Sequence, residues 1–95
     1  MQIYEKANAY QVLDNVFNNI ENYNLVSAIK SLEILYKDKD YINEMLDYIN
    51  VIMLDKAINN VKYVEYINIV EEVKKKLKAN CNYDMCIDSL LFNIW

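Results

Sequence analysis

The stretch Tyr41-Ile42-Asn43-Glu44-Met45-Leu46-Asp47-Tyr48-Ile49-Asn50-Val51-Ile52-Met53-Leu54-Asp55-Lys56-Ala57-Ile58-Asn59 decides the fold. Ile42, Met45, Leu46, Ile49, Ile52, Met53 and Ala57 recur at steps of three and four, the period of one helix face. Leu54 and Ile58 widen the stripe, and a helix that apolar is usually central, contacted on more than one side. Before it lies the polar turn Lys37-Asp38-Lys39-Asp40, with Asp40 placed to cap the helix; after it come Asn59 and Asn60. Working outward, Leu25, Ala28, Ile29, Leu32 and Leu35 predict a helix over 24–36, capped by Asn24. Ile3, Ala7, Tyr10, Leu13, Phe17 and Ile20 predict another over 3–19. Downstream, Ile67, Val70, Val73 (or the stem of Lys74) and Leu77 predict a helix over 64–79. There Glu71 and Glu72 stand four residues before Lys75 and Lys76, the favourable order for surface pairs. Asn80-Cys81-Asn82 interrupts the chain. Met85 or Cys86, Ile87, Leu90, Leu91 and Ile94 then predict a last helix over 83–94.

The 95 residues include no Gly and no Pro, the usual punctuation of sheet proteins. Asn replaces them, since it tolerates the left-handed conformation and its side chain caps helices. Its copies cluster between the predicted helices, and Asn80 and Asn82 are expected to be a C-cap and an N-cap. The expectation is an all-α fold: one compact bundle of about five helices, a single domain over 1–95.

The missing residue types exclude whole classes of chemistry. Without Gly there is no phosphate-cradling loop, and without His no Ser-His or Cys-His nucleophile. Without Arg there is no guanidinium fork for phosphate. Two cysteines, Cys81 and Cys86, cannot complete a zinc site without His, and they are expected to be free thiols. The expectation is therefore a non-enzyme with no catalytic residue, no cofactor and no metal. The net charge of −4 argues against nucleic acid as a direct partner. The one basic cluster, Lys74, Lys75, Lys76 and Lys78, reads first as a solvated helix end. No uncharged run approaches a membrane span and no signal-peptide pattern opens the chain, so a cytoplasmic location and no membrane partner are expected.

The order Leu77-x-x-Asn80-x-Asn82-x-x-Met85-x-Ile87-Asp88-x-Leu90-Leu91-Phe92-x-Ile94 resembles the end of the delta-prime subunit family of bacterial DNA polymerase III. That family closes with a helix, a broken Asn-x-Asn step and a helix of the form L-x-L-E-x-L-L-L-x-L. Here Asp88 stands in place of the usual Glu, and Phe92 fills the third apolar place. Tyr48 to Lys56 is more loosely similar to the family's central helix, with Asn50 in place of an acid. The resemblance implies a clamp-loader collar domain, one of five helical domains that pack in a ring beside delta and tau/gamma subunits. It also implies that ATPase-like domains precede this chain, whose first helix begins at residue 2 or 3 without a polar lead-in. A tau/gamma or delta homologue shares that helical architecture.

Two other readings stand beside the collar: an unrelated helical adaptor for a protein partner, and a small nucleic-acid binder using the lysine helix. A domain of this size cannot bury so many large side chains, so a contiguous apolar patch is expected at the surface. At least two of the nine tyrosines are expected to touch a partner. Leu91, Phe92 and Trp95 are the candidate interface residues, because the last helix carries apolar groups over too wide an arc for one core. Phe92 and Trp95 are three apart and share a face, which points either outward to a partner or inward to the first or third helix.

Overall fold

Helical periodicity is realised in every segment. The computed structural model describes residues 3–95, with side chains from residue 8 onward, so Ile3 and Ala7 of the first stripe lie outside the described side chains. Six α-helices follow one another: α1 Ile3–Phe17, α2 Leu25–Ser31, α3 Glu33–Lys37, α4 Ile42–Ala57, α5 Lys62–Lys78 and α6 Tyr83–Ile94. Single 3₁₀ turns, Ile20–Asn22 and Lys39–Tyr41, lead into α2 and α4. No strand occurs among the described residues.

The most apolar helix is central. α4 packs on α1 and on α5, α5 carries α6, and α6 closes the far side against α2 and α3. One core results: Leu13 and Phe17 of α1, Leu32 between α2 and α3, Leu35 of α3, Leu46, Ile49 and Met53 of α4, Val70 of α5, and Ile87, Leu90 and Leu91 of α6 are fully buried, with Leu25 and Ile29 of α2 packed against them. The radius of gyration, 12.6 Å, matches the ~12.4 Å expected of a compact chain this long.

Three expectations need correction. The helix over 24–36 is two helices, which makes six rather than five. Leu32 leaves helical geometry at φ −101°, ψ 25°, and the Leu35 N–H donates to the Leu32 carbonyl at 2.9 Å, a 3₁₀ step. No Pro or Gly demands that break; its cause is tertiary, since both halves wrap against α6. Asp40 does not cap α4, because the 3₁₀ turn moves the cap position to Tyr41, whose side chain makes no capping bond. The pairs on α5 form at three residues, not four: Lys74 to Glu71 at 3.6 Å and Lys75 to Glu72 at 3.8 Å. Lys74 is turned toward α4, where its ammonium bonds Asp47.

The asparagines end the helices by distinct means. Asn24 Oδ1 accepts from the Ser27 N–H at 2.8 Å while Ser27 Oγ accepts from the Asn24 N–H at 3.0 Å, a reciprocal cap on α2. Asn80 has φ 60°. Its N–H donates to the Leu77 carbonyl and the Cys81 N–H to that of Lys76, at 3.2 and 3.1 Å. This is the Schellman arrangement, with Asn80 just past the cap residue Ala79. Asn82 is the N-cap of α6, its Oδ1 accepting from the Met85 N–H at 3.0 Å. Asn82→Ala is expected to cost about 1 kcal/mol in a urea titration. Asn80→Gly is expected to raise the midpoint, because Gly enters the left-handed region without steric cost. A neutral Asn82→Ala would mean that water caps α6 equally well.

Candidate interaction surface

α4 and α5 run antiparallel, and two polar pairs fix their register. Lys74 Nζ bonds Asp47, and one turn along, Asn50 Nδ2 donates to Glu71 Oε1 at 2.8 Å. Asn50 Oδ1 is buried in that seam without a hydrogen-bond partner. Continued one turn further, the same register sets Leu54 beside Ile67, and then Ala57 and Ile58 beside Val64 and Tyr63. Polar pairing gives way there to an apolar surface. Val51, Leu54, Ile58, Val61 and Val64 are exposed by 61, 58, 81, 80 and 45%.

Helix geometry makes these five one patch. At 3.6 residues per turn, Val51 and Leu54 form a strip on α4 next to the seam, continued by its C-cap residue Ile58, with Asp55 on the outer side. On α5, Val64 lies next to the seam with Glu65 on the outer side, and Val61 is the residue just before the helix. Asp55 and Glu65 are exposed, and neither pairs with a cation among the described residues. The nearest lysines are held elsewhere. Lys62 lies over the Tyr66 ring at 5.7 Å; Lys56 lies over the Tyr63 ring at 5.6 Å and donates to the Asn18 carbonyl at 3.3 Å. The result is an apolar ridge with an acidic border on both sides.

The sequence points to candidate interface residues on α6 rather than on α4 and α5, and the structure separates them. Leu91 is fully buried, so it belongs to the core and is corrected as a partner contact. Trp95 turns inward: its ring meets Phe17 at 5.6 Å, and its Nε1–H donates to the Ile20 carbonyl at 3.1 Å. Of the two orientations open to it, Trp95 takes the inward one and is partly buried. Phe92, at 58% exposure, faces solvent, with Met85 two turns before it on α6. Leu54 and Ile58, expected to widen a buried stripe, instead form the ridge. Their spacing from Val51 (three, then four residues) was the available signal: a second apolar strip beside the core strip.

The tyrosines are used internally. None of the eight with described side chains is exposed, and all pack on the core. Tyr10 stacks on Tyr48 at 4.6 Å, Tyr48 Oη–H donates to Asp14 at 2.8 Å, Tyr36 donates to Asp88, and Tyr83 donates to the Leu35 carbonyl. Burial, followed by the carboxylates of Asp38 and Asp84, pushes the Tyr83 phenol up to about 12. Tyr36 is pushed up further, by burial first and then by its bond to Asp88. Cys81 is exposed and Cys86 buried, both free, and burial raises the Cys86 thiol.

Among the described residues no group of three acidic, Cys or His side chains is placed to hold a metal ion. No described helix is long and apolar enough to cross a membrane. No protein-family model, curated protein or solved structure matches this chain.

Proposed function

We propose that this chain is a helical docking domain, which associates with other proteins and carries out no chemistry of its own. The supporting observation is the α4–α5 ridge. Its five side chains expose on the order of 500 Å² of apolar surface, near the top of the ~300–600 Å² found for the largest patch of a typical monomer. The largest apolar patch of a monomer is often a functional surface.

The resemblance of residues 77–94 supports a narrower form of the same reading. In it the domain forms part of a clamp-loader collar of delta-prime type, meeting delta and tau/gamma subunits through helical contacts, without bound DNA, metal or membrane. That reading places the protein in the cytoplasm, where it would help assemble the complex that loads the sliding clamp during replication. A tau/gamma or delta homologue is the same reading with a different seat in the ring.

Mixing the purified chain with delta and tau/gamma subunits of the same organism tests it by size-exclusion chromatography. Co-elution is expected from the wild-type chain, and separate elution from a folded Leu54→Asp/Ile58→Asp variant. If the wild-type chain elutes alone at concentrations well above those of cellular assemblies, the collar reading is wrong. If both co-elute, the ridge is not the contact.

A further inference from the structure

We propose that the α4–α5 seam receives an amphipathic helix from a partner protein, one whose apolar stripe is bordered by Lys or Arg. The inference rests on the docking reading above and names the chemistry of the partner. The outer face of two antiparallel helices is the place where a bundle adds a further helix, and here Leu54, Ile58 and Val64 are exposed along it. An entering helix would cover it with anchors at i, i+3, i+4 and i+7.

Charge selects the kind of helix. Asp55 borders the ridge on the α4 side and Glu65 on the α5 side, and neither has a cation to pair with among the described residues. A helix with acidic borders would set like charges against both edges. One with basic borders gains two exposed ion pairs, which contribute modestly to affinity and strongly to orientation and rate of encounter. The same border disfavours a second copy of this chain, since a two-fold contact would bring four carboxylates together with no lysine between them.

The test uses the whole 95-residue chain and labelled helical peptides of about 18 residues, ~27 Å long. One carries a Leu stripe bordered by Lys, the second the same stripe bordered by Glu, and the third has the Lys composition with its Leu positions scrambled. By fluorescence anisotropy at low salt, the Leu/Lys peptide is expected to bind at least about tenfold more tightly than either of the others. Leu54→Asp/Ile58→Asp should abolish that binding, and Asp55→Lys/Glu65→Lys should reverse the preference toward the Glu-bordered peptide. Both variants alter exposed positions, and circular dichroism checks their fold. Equal binding of the three peptides, or a preference that survives the charge reversal, overturns the proposal. So does sedimentation of the wild-type chain as a dimer that Leu54→Asp/Ile58→Asp dissociates, because the occupant is then a second copy. Failure of all peptides, together with ridge-dependent co-elution with collar subunits, removes the basic-helix partner and leaves the docking reading standing. Failure of both removes both.

Discussion

Phe17→Ala is expected to destabilise the domain by about 3–5 kcal/mol, the range for losing a buried aromatic ring. Phe17 has no exposed surface and lies at the end of α1 within the core, so its removal leaves a cavity there. A chain of 95 residues has a total stability of roughly 5–14 kcal/mol at ~0.05–0.15 kcal/mol per residue. The variant should therefore unfold at a small fraction of the wild-type denaturant concentration, or be only partly folded in buffer. Trp95 is the only tryptophan in the sequence and lies against the Phe17 ring, so its fluorescence reports directly on this region. Urea titrations followed by fluorescence and by circular dichroism should give coincident, strongly shifted midpoints. A shift of less than about 1 kcal/mol would mean that α1 contributes little to the common core.

Alkaline conditions should unfold the protein through two tyrosines. Tyr83 and Tyr36 are held protonated in the fold above the ~10 of a free phenol, Tyr83 up to about 12. A group whose folded value is raised contributes stability that is complete below its unfolded value. That contribution is lost as pH rises through the folded one. The loss should begin near pH 10 and continue through about 12. Lys74 adds in the same direction: its bond to Asp47 raises the ammonium, and deprotonation removes that tie between α4 and α5. Titration of phenolate absorbance should show a late fraction that ionises only together with loss of helical circular dichroism. Tyr83→Phe should make the loss of stability with pH shallower. Ionisation of every tyrosine near pH 10 with the helices intact would contradict the account.

The sequence disclosed what depends on period and little of what depends on assembly. The core faces of α4, α5 and α6 were legible because Ile49, Met53, Val70, Leu90 and their neighbours repeat at helical spacing. The break at Leu32 was not, since no local signal marks it and its cause is the curved path of two short helices over α6. At the surface, an apolar patch was expected, but it was sought on α6. Leu91 repeats with Ile87, Leu90 and Ile94 at helical spacing and is buried with them, whereas Phe92 lies about 100° further round α6 and is exposed; the inward turn of Trp95 onto Phe17 follows from assembly. The ridge was hidden for another reason: Leu54 and Ile58 follow the core stripe so closely that period alone assigns them to it. The stretch with the family resemblance, 77–94, consists largely of caps and core positions. Ile87, Leu90, Leu91 and Ile94 are all buried there. Such residues record how a helix is seated more than what it meets.

The core holds no charged, amide or aliphatic hydroxyl side chain among the described residues. A buried polar group fixes its partner by geometry, whereas an apolar core is constrained by volume and shape, which several residue combinations satisfy. Exchanges among Leu, Ile and Met at positions such as Met45, Ile49 and Met53 are therefore cheap when a neighbour compensates. Over generations, lineages carrying this architecture can replace their interior piece by piece. The seating of the helices then outlasts the identity of the residues that fill it.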